Sequence, residues 1–253
     1  MAERSDSVPV GIHFLGSGDA FGSGGRLQAC LFVDSGNARF LLDCGASSLI
    51  GMKRWGVSPA RIDAILITHL HGDHFGGIPF FILEARLVSK RTRPLVIAGP
   101  PGLESRVREA QEILFPGSSR VKQDFPIDYV ELKPGESTAL GPLIVSAYPV
   151  VHASGAPPYA LRVECAGRII AYSGDTEWTE SLTHASRGAD LFVCEAYYYD
   201  KKIKFHLDYR TLIAHQQELG CKRLILTHLN DDMLKRLDSI QVEVAQDGKQ
   251  ILL

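Results

Sequence analysis

The 253-residue sequence has no apolar stretch approaching the ~18–20 residues that a membrane-spanning helix requires, so no membrane anchor is expected. Its opening segment, MAERSDSVPV, has neither the basic n-region nor the apolar h-region of a secretory signal, so a cytoplasmic location is expected. Cysteine is sparse and scattered: Cys30, Cys44, Cys165, Cys194 and Cys221 include no C-x-x-C pair. That spacing argues against a disulfide framework and against a thiolate zinc site, and it suits a reducing compartment. Excess charge of one sign is also missing, since 27 basic residues stand against 29 acidic ones, a formal net charge of −2. No global field is available to gather nucleic acid or anionic lipid. Gly16, Gly18, Gly22, Gly24 and Gly25 lie close together, but their spacing is neither G-x-G-x-x-G nor a Walker pattern. They are read as a hairpin or site-rim loop.

With 45% hydrophobic and 22% charged residues, the chain belongs to the folded, water-soluble class. Short apolar runs bounded by Gly, Asp and Pro recur at 10–15, 29–33, 39–42, 64–68, 95–98, 143–148, 161–165, 169–172, 191–194 and 224–227. Their length and β-branched content predict strands. Helical patterns fall at 76–89, 103–114 and 209–219, the last carrying Leu212, Ile213, Gln216 and Leu219 at helix spacing and His215 towards solvent. Strands follow one another too closely in the first half for alternating βαβ units, so an α/β fold of two sheets flanked by helices is expected. No Pro/Ser-rich linker divides the chain, and residues 1–253 are read as one domain. One echo stands out: Ala64 to Leu70 (AILITHL) is matched by Arg223 to Leu229 (RLILTHL), which suggests two related halves with a site between their strand ends.

The densest chemistry is Thr68-His-Leu-His-Gly-Asp-His74, which places His69, His71, Asp73 and His74 in one turn as the chain leaves an apolar strand. So many imidazoles beside a carboxylate are a liability unless a cation organises them, and this donor set suits zinc, or manganese or iron where carboxylates are plentiful. Four ligands in so tight a turn cannot all reach one ion, so two metals are expected. Further candidates sit just after other apolar strands: His152, Asp175 in Ser173-Gly-Asp-Thr176, and His228 in Leu226-Thr-His-Leu229. Each is weak singly, because a strand-end histidine or an S-G-D-T turn is ordinary local chemistry.

Taken together, Phe14-Leu-Gly-Ser-Gly18, Leu41-Leu-Asp-Cys-Gly45, THLHGDH, Gly99-Pro-Pro-Gly102, His152 with Pro158-Tyr159, SGDT, Cys194-Glu-Ala196 and LTHL are nearly collinear with the metallo-β-lactamase superfamily. Within it the sequence resembles the RNase Z and phosphodiesterase branch. The resemblance implies an αββα sandwich of two mixed β-sheets holding two divalent metal ions, expected to be Zn2+ with Mn2+ or Fe2+ as alternatives. His69, His71 and His152 would ligate one ion, Asp73, His74 and His228 the other, and Asp175 would bridge them. It also implies a catalytic pair, Glu195 supporting His206 as proton donor to the leaving group, with Asp73 orienting the nucleophile. Here His206-Leu-Asp208 replaces the branch's usual His-Ser-Thr, which bears on the substrate. Asp43 is read as an acceptor for a ligand imidazole N–H.

Short-form RNase Z enzymes grip tRNA with a long insertion between the His-containing turn and the SGDT strand, whereas only residues 160–173 lie there in this chain. The expected activity is therefore hydrolysis of a small or unusual phosphodiester through a metal-bridging hydroxide, with tRNA disfavoured. Two alternatives are carried forward: a carboxyl-ester, lactone or thioester hydrolase, and a non-catalytic metal-binding or RNA-interacting scaffold. A homodimer is expected only because relatives in the branch often form one. Two features stay open: Arg86 to Arg93, as a solvated helix end or a contact for an anionic substrate, and Tyr197 to Tyr199, as a stacking surface or core aromatics.

Overall fold

The computed structural model describes residues 9–253. Residues 1–8, which carry most of the opening segment read above, lie outside the described residues.

The strands, in chain order, are β1 (Gly11–Gly16), β2 (Cys30–Asp34), β3 (Arg39–Leu42), β4 (Ala64–Leu66), β5 (Leu95–Gly99), β6 (Ile127–Glu131), β7 (Ser137–Leu140), β8 (Leu143–Pro149), β9 (Tyr159–Cys165), β10 (Arg168–Tyr172), β11 (Leu191–Glu195), β12 (Leu224–Thr227), β13 (Glu243–Val244) and β14 (Gln250–Leu252). The helices are α1 (Ser48–Arg54), α2 (Gly72–Phe75), α3 (Ile78–Leu87), α4 (Leu103–Leu114), α5 (Glu180–Ser186), α6 (Tyr209–Ala214), α7 (Gln216–Leu219) and α8 (Asp231–Leu234). They build two seven-stranded mixed sheets, β14-β1-β2-β3-β4-β5-β6 and β13-β12-β11-β10-β9-β8-β7, in the αββα order expected.

Alternation along the strands explains the layers. Phe40 and Leu42 of β3, Leu66 of β4, Leu161 and Val163 of β9 and Leu191 and Val193 of β11 share the core between the sheets. Leu41 and Ile65 face outward onto Met52, Phe81, Ile82 and Val107 from α1, α3 and α4. Phe192 and Cys194 likewise face Leu182, Ala185 and Leu212 from α5 and α6. These strands are covered on both faces, which is why their sequences read as unbroken apolar runs.

Each sheet runs through three antiparallel pairings and then three parallel ones, β14-β1-β2-β3 then β3-β4-β5-β6 in one, β7-β8-β9-β10 then β10-β11-β12-β13 in the other. Two related halves are thus visible in the topology, but β4 corresponds to β11 and β5 to β12. The THL echo between β4 and β12 therefore joins non-equivalent strands, and correcting that reading leaves the facing strand ends, rather than the repeated tripeptide, as the shared feature.

The helix expected over 209–219 breaks at His215 into α6 and α7, and His215 does not simply face solvent. Its ring stacks on Trp178 at 4.1 Å between centroids, and its Nδ1 lies 2.8 Å from Glu218 Oε1. β6, β7, β13 and β14 escaped the sequence reading because their faces are only half-buried and their residues more polar. The glycine-rich segment connects β1 to β2, with Gly18 N–H donating to the Leu27 carbonyl at 2.7 Å, so it is a hairpin loop. No helix among the described residues is long and apolar enough to cross a membrane.

The basic stretch after α3 resolves as structure. Arg91 is only 2% exposed, and its guanidinium donates to the carbonyls of Arg93, Pro59, Ala60 and Pro94 at 2.6–3.1 Å. Arg93 pairs with Asp63 at 2.6 Å, and Arg86 lies 3.5 Å from Asp124. Burial lowers the Arg91 guanidinium to about 10, still far above neutrality, so the charge persists and the carbonyl cage must satisfy it. Arg91→Met strands several buried carbonyls and is expected to cost about 3 kcal/mol. That corresponds to roughly a 6–12 °C fall in Tm for a chain of this size. Thermal unfolding at neutral pH checks it; an unchanged Tm would remove the structural role.

Candidate metal centre

The strand ends of both sheets converge on one cluster. β4 delivers Thr68 and His69, and the chain then turns into α2, with His71 at its N-cap and Asp73 and His74 within it. Two close approaches hold this turn in place. Gly45 stands where a Cβ would come within 2.2 Å of the Asp73 carbonyl oxygen, and Gly174, at φ +57°, would bring one within 2.8 Å of Thr68 Cβ. Only glycine lets the LLDCG turn and the SGDT turn pack this closely against the histidine motif. Asp43 and His228 both follow directly on strands with positive φ, 57° and 58°. This uncommon backbone state turns each side chain inward at the strand end.

All the residues singled out by sequence meet here. Ligand atoms of His69, His71 and His152 lie within 4.8 Å of one another, as do those of Asp73, His74, Asp175 and His228. Asp175 stands between the groups: Oδ1 is 3.2 Å from His74 Nε2 and 3.4 Å from His228 Nε2, while Oδ2 is 3.8 Å from His69 Nε2 and 3.9 Å from His152 Nε2. Asp73 Oδ2 lies 3.2 Å from His74 Nε2 and 3.3 Å from His228 Nε2. A third donor set, not foreseen as such, combines Asp175, Glu195, His206 and His228.

The surrounding hydrogen bonds aim the imidazoles. Asp43 accepts from Thr68 N–H at 2.8 Å and from Thr68 Oγ1 at 2.9 Å, and lies 2.6 Å from His74 Nδ1. Thr68 Oγ1 in turn lies 3.0 Å from His69 Nδ1. One buried carboxylate thereby fixes two rings, one directly and one through a hydroxyl, where the sequence reading assigned it a single imidazole. His152 Nδ1 meets the Phe205 carbonyl at 2.7 Å. Thr68 and Phe205 were missed; Thr68 was visible in the motif itself, whereas a backbone carbonyl leaves no sequence signal.

The cluster fits a divalent cation on its own chemistry. His69 Nε2, His74 Nε2 and Asp175 Oδ1 are buried at the centre and, although the last two stand 3.2 Å apart, none makes a well-aligned hydrogen bond, a costly arrangement unless a cation takes their lone pairs. Burial lowers the His69 imidazole below its ordinary range and takes His152 down to about 4, which keeps both neutral as ligands must be. On the other side burial also disfavours charge, but Asp175 and Asp73 outweigh it, raising His74 and taking His228 up to about 9. Asp175, although fully buried, is held below the usual carboxylate range by His228 and His74. This group of carboxylates draws positive charge, the charge that divalent cations supply.

Glu195 is buried at the end of β11. Its Oε1 accepts the Thr176 backbone N–H and its Oε2 lies 3.0 Å from His206 Nδ1. Ser173 Oγ accepts the Glu195 backbone N–H at 2.9 Å. Burial raises the Glu195 carboxyl; for His206, burial opposes charge, yet the Glu195 carboxylate prevails and the imidazole is raised. His206 Nδ1 is 3.9 Å from Asp175 Oδ2, and the Tyr197 ring stacks on His206 at 4.7 Å. The three tyrosines divide: Tyr197 borders the centre, Tyr198 lies under Lys201, and Tyr199 is buried against Tyr209.

An αββα sandwich with a His/Asp centre at its facing strand ends defines a metallo-β-lactamase-fold protein, and similarity to ribonuclease Z enzymes makes it a metal-dependent hydrolase. The chain belongs to the Anti-Pycsar protein Apyc1 family, whose profile matches residues 10–250. It is also similar to ribonuclease Z of Methanosarcina acetivorans, 25% identical in an alignment covering 95% of this chain and 92% of that one. The short form of human tRNase Z superposes with a TM-score of 0.76 at 25% identity, covering 95% of this chain and 98% of its own. YhfI of Bacillus subtilis, a metallo-β-lactamase fold protein, gives a TM-score of 0.76 at 20% identity over 97% of this chain and 100% of its own, a likeness of fold.

Proposed function

We propose that the protein is a phosphodiesterase working with two divalent cations, zinc in the first instance, held by His69, His71 and His152 on one side and by Asp73, His74 and His228 on the other, with Asp175 between them. Residues 1–253 act in this reading as one hydrolase domain, because the site draws on both sheets. When bound, such cations supply Lewis acidity towards a phosphoryl oxygen and a water of lowered pKa. The protein's own groups do the rest. Asp73 offers a carboxylate oxygen that orients the attacking water. His206 donates a proton to the departing alkoxide, and Glu195 accepts a hydrogen bond from its Nδ1–H, fixing ring and tautomer.

The observation that carries this reading is the Glu195–His206 contact at 3.0 Å beside Asp175, since an alkoxide departing from phosphorus needs a positioned acid, which the thiolate of a thioester does not. A small or short substrate is favoured over tRNA. Between Tyr159 and Ser173 the chain consists of β9, β10 and the two-residue turn Ala166-Gly167, both at positive φ, with no room for an arm. The ribonuclease Z alignment runs over 292 positions against 253 residues here, so at least 39 positions of the relative have no counterpart. Affinity for folded RNA rests largely on phosphate neutralisation, and the near-neutral chain offers little of it. The unpaired, buried Cys30, Cys44, Cys165 and Cys194 suit a cytoplasmic setting.

The deciding experiment is a metal-controlled hydrolysis screen across cyclic nucleotides, short RNA, small diesters, a lactone and a thioester, with elemental analysis of the same sample. Turnover of the diesters is the expected result; turnover of the lactone or thioester alone would replace the reading, and a metal-loaded protein inert on all of them would indicate a scaffold. In the same assay His206→Ala should slow a diester with an alkyl leaving group by about 10²–10⁴-fold. It should affect a p-nitrophenyl leaving group far less, with metal content unchanged. An unaltered alkyl rate would remove His206 from the reaction.

A further inference from the structure

We propose that Glu177 is a positioning residue that sets the His152 imidazole and the His206 proton donor in one arrangement, acting through the backbone of Phe205. The inference rests on the reading of His152 as a metal ligand and of His206 as the acid.

Phe205 precedes His206 and adopts φ +72°, a left-handed state that a bulky aromatic residue rarely takes without being held there. Two side chains hold it. Its N–H donates to Glu177 Oε1 at 2.9 Å, and its carbonyl accepts from His152 Nδ1 at 2.7 Å. Among the described residues these are the only side-chain hydrogen bonds to the 200–205 backbone, a stretch that is otherwise mostly exposed. Beyond His206 the chain is fixed independently, with Tyr197 N–H donating to the Leu207 carbonyl at 2.8 Å and Leu207 and Asp208 buried. With the Leu207 side and the Glu195 contact already fixed, the remaining constraint on the His206 backbone is on its N-terminal side, at Phe205.

Glu177 is itself tied to the centre. It stands two residues after Asp175, and its N–H donates to the Val151 carbonyl at 3.1 Å, while Val151 N–H donates to Thr176 Oγ1 at 3.0 Å. The turn bearing Asp175, the segment bearing His152 and the loop bearing His206 thus close into one ring of hydrogen bonds, with the Glu177 side chain as the link to the loop. Without it, Phe205 loses a reason to stay left-handed, its carbonyl moves, and His152 loses the acceptor that orients its metal-facing nitrogen. Metal affinity and proton donation would then fall together, although Glu177 belongs to none of the candidate ligand groups.

The test compares Glu177→Ala with Glu177→Gln, whose amide oxygen still accepts the Phe205 N–H. Zn2+ affinity is measured by chelator competition, and kcat and KM on two diesters, one with an alkyl and one with a p-nitrophenyl leaving group. Glu177→Ala is expected to weaken Zn2+ binding by about 10-fold or more. Its kcat on the alkyl diester should fall by a similar factor, with less effect on the p-nitrophenyl diester and KM nearly constant. Glu177→Gln should remain close to the parent protein in every measurement. Wild-type Zn2+ affinity in Glu177→Ala would overturn the proposal, as would a Glu177→Gln variant as impaired as the alanine one, which would point to charge instead of the hydrogen bond. Should the parent protein hydrolyse neither diester, the phosphodiesterase reading fails, and the Zn2+ affinities still decide on the clamp. Phe205→Gly, which keeps both backbone groups and tolerates positive φ, provides a second variant if the alanine one misfolds; it should retain the parent Zn2+ affinity, and a 10-fold loss would count against the clamp.

Discussion

Asp175→Ala is expected to abolish hydrolysis and to strip the protein of metal, the largest loss of any single change at the centre. The reason is geometric: its two carboxylate oxygens lie 3.2–3.9 Å from the Nε2 atoms of His74, His228, His69 and His152, so a single carboxylate reaches both ligand groups. Metal catalysis supplies several kcal/mol of transition-state stabilisation, so a loss of at least ~10³-fold in turnover should follow. Elemental analysis should show metal content falling well below that of the parent protein under the same loading. Asp175→Asn separates shape from charge and should retain part of the metal and little of the rate. A fully loaded, active alanine variant would show that the two ligand groups do not share this carboxylate.

The second large effect is expected at Asp43, a residue that reaches no cation itself. It fixes His74 at 2.6 Å and His69 through Thr68 Oγ1, at 2.9 and then 3.0 Å. Partners of this kind typically contribute 10–100-fold in metal affinity, and Asp43 serves one imidazole in each ligand group, so Asp43→Ala should weaken both sites by about that factor. It also leaves buried donors on Thr68 and His74 without an acceptor and places alanine at φ +57°, so a stability loss of about 3–5 kcal/mol is expected. Asp43→Asn tolerates the left-handed backbone and keeps an acceptor oxygen, so it should unfold less readily while still binding metal more weakly. Metal titration and urea unfolding of the two variants measure the two contributions apart. Parent-like affinity in Asp43→Ala would mean that the histidines are aimed by packing alone.

Much of this protein was legible in its sequence, and the reasons are local. Strand runs such as 39–42 and 224–227 coincide with β3 and β12, and 103–114 coincides with α4, because apolar periodicity and flanking breakers act over a few residues. The half-exposed β6 and β7 and the short β13 and β14 carry no such period and were found only in the assembled sheets. Arg91 shows how far composition can mislead: as one of four basic residues between 86 and 93 it read as part of a solvated helix end or a contact for an anionic substrate, yet it is buried in a cage of carbonyls contributed by residues 59, 60, 93 and 94.

For the centre, the sequence by itself determined which side chains were available and what they could bind. Three imidazoles and a carboxylate in six residues, followed by strand-end His152, Asp175 and His228, are a matter of residue type and short spacing. Tertiary structure alone decided the rest. Whether β4 corresponds to β12 or β11 depends on sheet pairing, and whether Asp43 serves one histidine or two depends on where Thr68 packs. The link from Glu177 to His206 runs through the N–H and carbonyl of Phe205. Backbone groups are the same at every position, so the sequence cannot mark which of them will be used, and only the folded chain brings residues 152, 177 and 205 within hydrogen-bond distance.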